Sequence, residues 1–148
     1  MEVQQDFREL LALFNKHKVD YVIVGAYALG FHGVPRYTGD LDVFVKADPR
    51  NAERIMRALH EFGFGSVGLN AADFEAEGKV IQLGFPPIRI DIMTSITGVS
   101  WEQARAGMVE GWFGELTVPY IGREDLISNK RALGRKRDLA DLEGLGEA

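Results

Sequence analysis

The stretch that decides the fold covers residues 21–45 and reads YVIVGAYALGFHGVPRYTGDLDVFV. It opens with the β-branched run Tyr21–Val24, which is typical of a buried strand, and this strand is expected to end at Gly25. The segment from Gly30 to Gly39 contains three glycines and a proline, so we expect it to be mostly loop. Polar and aliphatic residues then alternate from Asp40 to Val45, which is the period of a second strand.

Acidic residues occupy one face of this second strand. Asp40 and Asp42 point the same way because side chains alternate across a strand, which places them about 6–7 Å apart at the backbone. The segment Ile88–Met93 repeats the pattern, with isoleucines on one face and Asp91 on the other. If the two strands are neighbours with their aliphatic faces together, three carboxylates converge on a small volume. Such a cluster of like charges favours a cation, and Mg²⁺ prefers carboxylate and phosphate oxygens.

A purely structural role for the same residues stays open at this point. An Asp-x-Asp pair at a strand edge is also typical of a solvated face or a turn. Asp91 lies in an apolar strand, where a charge is costly to bury, but Arg89 or another cation could simply pair with it. The residues by themselves therefore do not decide between a metal site and a set of ordinary ion pairs.

The rest of the chain predicts an α+β domain, with a mixed β-sheet and helices mainly on one face. Phe7, Leu10, Leu11 and Phe14 recur at helical spacing and predict an amphipathic first helix. Asp48 and Pro49 predict the start of another helix, as its N-cap and first position. We expect that helix to end at Gly63 and to be followed by an irregular segment, 64–78, with some strand at its start. Two strands, Lys79–Phe85 and Ile88–Met93, are expected next, joined across Pro86–Pro87. The last expected elements are a helix near Ser100–Arg105, a strand near Leu116–Ile121, a helix at Glu124–Leu133 and a helix from Asp138 to about Gly144.

The composition is that of an ordinary globular protein. The 148 residues fit a single domain, 1–148, with 46% hydrophobic and 26% charged residues. Cysteine is absent, which excludes disulfides, thiol catalysis and zinc sites built on cysteine. The net charge of −5 disfavours a general DNA-binding role, and no DNA partner is expected. No signal peptide and no long apolar run is visible, so we expect a cytoplasmic protein with no membrane partner.

The stretch from Val24 to Val45 resembles the signature of the nucleotidyltransferase superfamily that includes DNA polymerase β. In that signature a glycine follows a strand, and an Asp-x-Asp pair begins the next strand. More narrowly, the sequence is similar to small prokaryotic members related to AbiEii-type toxins and to minimal nucleotidyltransferases. The segment Tyr120–Lys130 and the run Arg137–Asp141 extend this resemblance, which covers the chain from about Tyr21 to Leu142.

The resemblance implies the nucleotidyltransferase fold and roles for individual residues. Asp40, Asp42 and Asp91 match the catalytic metal ligands, which hold magnesium or, alternatively, manganese, with an NTP as the substrate. Asp91 is the carboxylate that we expect to accept the proton of the attacking hydroxyl. The expected nucleotide-binding positions are Gly25, Ala26, Arg36, Thr38, Lys130 and Asp138.

Several of these positions could instead serve the fold alone. Arg36 could bind phosphate bidentately, or it could be a surface residue or a partner for Asp40. Thr38 could contact nucleotide or only help its loop to turn. Lys130 belongs to a basic cluster that extends to Arg137; such a cluster is ordinarily a solvated helix end, and the functional alternative is contact with a triphosphate or RNA. Asp138 matches a helical acidic position that lies near the nucleotide or supports the site.

Three functions remain open. The first is transfer of a nucleotidyl group from an NTP to a hydroxyl or phosphate on a protein, a tRNA end or a small molecule such as an antibiotic. The second is a catalytically degenerate binding module, for example a toxin–antitoxin component that binds a cognate partner protein. Ala26 motivates this alternative, because family members often carry serine or a second glycine there, although backbone N–H groups could still bind phosphate. Metal-dependent phosphodiester hydrolysis ranks last, because it leaves the glycine and Lys130 without a role.

Overall fold

The computed structural model describes residues 4–64, 68–85 and 88–147. Helices and strands alternate irregularly along the chain, and short non-α turns occupy His60–Phe64 (π-helical) and Ala71–Phe74 (3₁₀). The regular elements are α1 (Gln5–Lys16), β1 (Tyr21–Val24), α2 (Gly25–Phe31), β2 (Asp40–Val45), α3 (Pro49–Leu59), β3 (Val80–Phe85), β4 (Ile88–Met93), α4 (Trp101–Gly107), β5 (Val109–Phe113), β6 (Leu116–Tyr120), α5 (Arg123–Leu133) and α6 (Lys136–Gly144).

The strands form one six-stranded mixed sheet with the order β3-β4-β2-β1-β6-β5. β2 lies at its centre, antiparallel to β1 and parallel to β4. The predicted α+β class with a mixed sheet is confirmed. The central pairing places the two acidic strands side by side, which is the arrangement that the predicted carboxylate cluster requires.

The core lies between the sheet and the amphipathic helices. The four apolar residues predicted for the first helix, Phe7, Leu10, Leu11 and Phe14, are all fully buried in α1. Phe14 meets Tyr21 of β1 edge to face at a centroid distance of 5.4 Å. On the face of β2 that carries Asp42, Phe44 packs edge to face against Trp101 of α4 at 5.4 Å. Each such buried side chain stabilises the fold by about 1.5–3 kcal/mol relative to an exposed one.

Helix α3 begins as the sequence predicts. The Asp48 carboxylate accepts a hydrogen bond from the backbone N–H of Asn51 at 2.6 Å, and Pro49 occupies the first turn. The α-helix itself ends at Leu59, and the π-helical turn carries the chain to Phe64, with Gly63 at φ +107°. The predicted helix end at Gly63 is therefore wrong for the α-helix, and Gly63 lies inside the turn that follows it.

Two elements were not predicted. Helix α2 runs from Gly25 to Phe31, so the expected loop is confined to residues 32–39. Glycines at both ends of this segment lower its helix propensity, and burial of Tyr27, Ala28 and Leu29 overrides that preference. Strand β5 is an edge strand with mostly exposed side chains, which gives it no clear hydrophobic period.

Two expectations fall on residues outside the described ranges. These are the strand expected at the start of segment 64–78, which involves residues 65–67, and the connection through Pro86–Pro87. No helix within the described residues has the length and apolar character needed to cross a membrane.

Candidate active site

A cavity of about 520 Å³ opens over the first residues of β2 and β4. Its wall combines the three aspartates with basic residues from the loop before β2, from β4, from α5, from the residue before α6 and from the first turn of α6. The charged residues of this wall are Asp40, Asp42, Asp91, Arg36, Arg89, Lys130, Arg135 and Arg137. An acidic floor surrounded by cations is suited to a polyanionic ligand that binds together with a metal ion.

The three carboxylates are brought together by strand register. β2 and β4 run parallel, and Asp42 lies directly opposite Asp91. Burial, the nearby charges of Asp91 and Asp40, and a hydrogen bond with Asp91 together raise the pKa of Asp42 to about 7, against an opposing effect of Arg89. The predicted convergence of Asp40, Asp42 and Asp91 is thus present in the fold, while their metal-binding and catalytic roles stay predictions.

Arg89 neutralises part of this cluster. Its Nε donates to Asp91 Oδ1 at 2.9 Å, and its Nη2 donates to Asp91 Oδ2 at 3.2 Å and to Asp40 Oδ2 at 3.3 Å. The pairing of Arg89 with Asp91, left open by the sequence, is therefore made. This ion pair does not neutralise the whole acidic cluster, because Asp42 accepts no hydrogen bond from Arg89.

The donor set suits a hard divalent cation. Burial, and after it the charges of Asp91 and Asp40, raise the pKa of Asp42 to about 7, so the ionised carboxylate is costly here unless a cation binds beside it. Within the described parts of the chain, however, no three carboxylate or imidazole side chains are oriented together to coordinate an ion. In this arrangement both oxygens of Asp91 and one oxygen of Asp40 accept hydrogen bonds from Arg89. The carboxylate oxygens of Asp40, Asp42 and Asp91 are ligands of the kind that magnesium prefers. These side chains must reorient before they can coordinate the ion together.

Gly25 makes room for the acidic cluster. It begins α2 with φ +66°, a conformation that favours glycine. A Cβ at this position would overlap Asp42 Oδ2 and lie 3.0 Å from Asp42 Cγ. The resemblance of the sequence assigns Gly25 to the approach of nucleotide phosphates. The structure adds a second reason for glycine here, which is the space that the Asp42 carboxylate occupies. Ala26 follows it on the cavity wall.

The loop before β2 carries Arg36 and Thr38 on the cavity wall. Arg36 pairs with the buried Asp141 of α6, so the alternative pairing with Asp40 is not the one that forms. The hydroxyl of Thr38 accepts a hydrogen bond from the backbone N–H of Asp40 at 3.0 Å, which turns the chain into β2. Thr38 therefore shapes the loop, and its predicted contact with a nucleotide stays a prediction.

A buried ionic network supports the cationic wall from behind. Lys130 of α5 contacts Asp141 at 3.0 Å and Asp138 at 3.4 Å, and Arg135 contacts Asp138 at 2.6 Å. Asp138 and Asp141 are 0% and 1% exposed. Burial alone would raise the pKa of Asp138, but hydrogen bonds from the side chain and backbone of Arg135 and the charge of Lys130 lower it to about 2.

Asp138 thus lies beneath the cavity rather than on its wall, which favours the supporting role among its two predicted ones. Asp141 was missed as a site residue. The signal was present in the sequence, because Asp138 and Asp141 are three positions apart and share one face of a helix.

Comparison with solved structures identifies the fold. The chain is similar to a Thermotoga maritima protein that carries a provisional assignment as a nucleotidyltransferase, with a TM-score of 0.62, 17% identity, and 93% of this chain and 88% of that chain covered. It is similar to lincomycin-bound lincosamide antibiotic adenylyltransferase LnuA, with a TM-score of 0.57, 16% identity, and coverage of 99% and 98%. It is also similar to the antibiotic-resistance factor ANT(2'')-Ia, with a TM-score of 0.61, 11% identity, and coverage of 95% and 80%.

The chain therefore has the nucleotidyltransferase fold, as the resemblance of its sequence implies. No protein-family model and no curated protein matches the sequence. The narrower resemblance to AbiEii-type toxins stays a prediction.

Proposed function

We propose that this protein is a magnesium-dependent nucleotidyltransferase that moves a nucleotidyl group from an NTP to a hydroxyl or phosphate acceptor. The observation that carries the proposal is that Asp42 lies opposite Asp91, with Asp40 on the same strand face, in a cavity whose other charged wall residues are all basic. Core packing does not require three acidic side chains at the centre of a sheet. The likeness to a lincosamide antibiotic adenylyltransferase structure over nearly the whole chain supports the same reaction class.

The basic wall is suited to the triphosphate. Arg36 and Lys130 are fixed by buried carboxylates, so their cationic ends need little ordering when phosphate binds. The guanidinium of Arg36 can form two parallel hydrogen bonds to phosphate oxygens. Tyr37, 95% exposed at the edge of the cavity, offers an aromatic face on which a nucleobase can stack.

Asp40, Asp42 and Asp91 would hold the magnesium. A bound divalent ion neutralises phosphate charge and aligns the attacking and leaving oxygens of an in-line displacement. In the transfer, the acceptor oxygen forms a bond to the α-phosphorus, the bond from that phosphorus to the bridging oxygen breaks, and pyrophosphate leaves. A carboxylate of the cluster takes the acceptor proton, and Asp91 is the residue proposed for this step.

The acceptor is proposed from chemistry and from the fold comparison. One neighbour is a lincosamide adenylyltransferase and another is an antibiotic-resistance factor. They favour a small hydroxylated molecule over the other two acceptors, a protein side chain and a tRNA end. We propose a cytoplasmic setting, where the NTP and magnesium are both supplied.

Calorimetric titration of the four NTPs, with magnesium and again with EDTA, tests the proposal. We expect magnesium-dependent binding of at least one NTP and its loss in Asp40→Asn/Asp42→Asn. The matched control is Asp6→Asn/Glu9→Gln, which removes the same charge from an exposed part of α1. An equally strong NTP titration in EDTA, or in the folded aspartate variant, would contradict the proposal.

A second function is favoured by Ala26, which lines the cavity where a hydroxyl could otherwise contact phosphate. In this alternative the protein is a degenerate nucleotidyltransferase-fold module that binds a cognate partner, such as the other component of a toxin–antitoxin pair. A well-folded wild type that binds no NTP with magnesium or manganese supports this alternative. Restored NTP binding in Ala26→Ser would assign the loss to this one position.

A further inference from the structure

Arg89 stands between two of the three cavity carboxylates. Its guanidinium contacts both oxygens of Asp91 and one oxygen of Asp40. The Asp91 side chain is only 10% exposed, whereas those of Arg89 and Asp40 are 26% and 40% exposed. Arg89 is therefore placed at the open side of the cluster, on the wall of the cavity.

Three other cations of the wall are held differently. Arg36, Lys130 and Arg135 pair with Asp138 or Asp141, which are buried in α6 and lie outside the acidic cluster. Among the described residues, Arg89 pairs only with Asp40 and Asp91. A cation that takes those carboxylates therefore frees the guanidinium of Arg89 and leaves the rest of the basic wall in place.

We propose that Arg89 is an internal counterion, which a divalent cation displaces from Asp40 and Asp91 and which then binds the phosphates of the incoming nucleotide. An arginine stays charged at every physiological pH, so it cannot make way by losing its proton. It can only exchange partners. Phosphate oxygens are suitable new partners, because a guanidinium binds them as it binds a carboxylate.

The exchange couples the two ligands. Without nucleotide, a metal ion must compete with Arg89 and leave its charge unpaired, so metal binding alone is weakened. With nucleotide present, the freed arginine gains a phosphate, so each ligand strengthens the binding of the other by the same factor. The part of the inference that concerns nucleotide rests on the proposed function, and the part that concerns the metal does not.

The experiment measures Mn²⁺ affinity from the electron paramagnetic resonance signal of free Mn²⁺, with no nucleotide present. We expect Arg89→Gln to bind Mn²⁺ about tenfold more tightly than the wild type, because two carboxylates lose a competing cation. Arg50→Gln, which removes the same charge from an exposed position of α3, should leave Mn²⁺ affinity unchanged. Weaker or equal Mn²⁺ binding in Arg89→Gln, including no binding by either protein, would overturn the inference.

A second titration measures the coupling. In the wild type, a non-hydrolysable NTP analogue should tighten Mn²⁺ binding, and in Arg89→Gln this enhancement should fall at least about threefold. An enhancement equal to that of the wild type would refute the exchange onto phosphate. If the wild type binds no nucleotide at all, the proposed function fails, and the titration without nucleotide still decides whether Arg89 competes with the metal.

Arg89→Lys keeps the positive charge, and it replaces Arg89→Gln in the Mn²⁺ titration if Arg89→Gln does not fold. A lysine offers one ammonium group in place of a guanidinium that spans two carboxylates, so it competes less well. Mn²⁺ affinity in Arg89→Lys should lie above that of the wild type, and an affinity at or below the wild-type value would reject the counterion role.

Discussion

Gly25 and Asp42 are in such close contact that no side chain fits at residue 25. The Asp42 carboxylate fills the space that a Cβ would need, and the backbone of Gly25 has φ +66°. The position is thus restricted twice, once by backbone conformation and once by the acidic cluster. These two restrictions can be separated experimentally.

Gly25→Ala should destabilise the fold by about 1–3 kcal/mol and weaken magnesium–NTP binding at least about tenfold, because the new methyl group displaces Asp42. Gly33→Ala is the matched control, with φ +100° and no atom within 4 Å of the added Cβ. It should lose stability through backbone strain alone and keep its NTP affinity. Urea unfolding and calorimetry supply the two readouts, and equal losses of affinity in both variants would contradict the assignment.

Asp138 should make stability depend on pH in the acidic range. Its pKa is lowered from 3.8 to about 2, so the folded state favours the ionised form. The resulting contribution is complete above pH 3.8 and is lost as the pH falls through 2. We expect Asp138→Asn to be about 1–2 kcal/mol less stable than the wild type at pH 7, with a smaller difference at pH 3. Urea unfolding at pH 7, 5 and 3 measures this, and Asp6→Asn, at an exposed position, should show no such trend.

The two cations that hold Asp141 should differ in their importance for stability. Lys130 contacts Asp138 and Asp141 and has only 8% of its side chain exposed, whereas 35% of the Arg36 side chain is exposed. Lys130→Ala should therefore cost about 3–5 kcal/mol, because it leaves buried carboxylates short of a partner. Arg36→Ala should cost less, since Lys130 still pairs with Asp141. Urea unfolding at pH 7 decides, and a larger cost for Arg36→Ala would show that Arg36 is the main partner of Asp141.

Asp48 contributes to the stability of α3 and lies outside the cavity, so its substitution tests stability separately from ligand binding. Asp48→Ala removes the hydrogen bond from the N–H of Asn51 to the Asp48 carboxylate at the start of α3. The expected cost is about 1 kcal/mol in unfolding free energy. NTP and metal affinities should stay unchanged, because Asp48 does not line the cavity. A change in either affinity would imply a link between α3 and the site that the contacts do not show.

Strand periodicity made the acidic cluster predictable. The aliphatic residues of β2 and β4 fixed which faces are buried, and the two strands are neighbours in the sheet. Asp40, Asp42 and Asp91 then had to share the other face. Helix α1 was also predictable from periodicity, since its apolar residues recur at the spacing of one face of an α-helix.

The remainder depends on contacts that local patterns do not encode. Arg36 and Asp141 are 105 positions apart, and nothing in either segment indicates the other. Arg89 had several potential acidic partners, and only the register of β2 with β4 decides that Asp40 and Asp91 are chosen. Helix α2 was missed because its stability comes from tertiary burial rather than from propensity.

The dependence of the basic wall on α6 has a consequence for synthesis on the ribosome. A nascent chain that has emerged through β4 already contains Gly25, Arg36 and all three aspartates of the acidic cluster. It still lacks Asp138 and Asp141, the buried partners of Arg36 and Lys130. Synthesis therefore delivers all three aspartates of the cavity before the buried residues that hold its basic wall, and that wall is complete only after Asp141 has been translated.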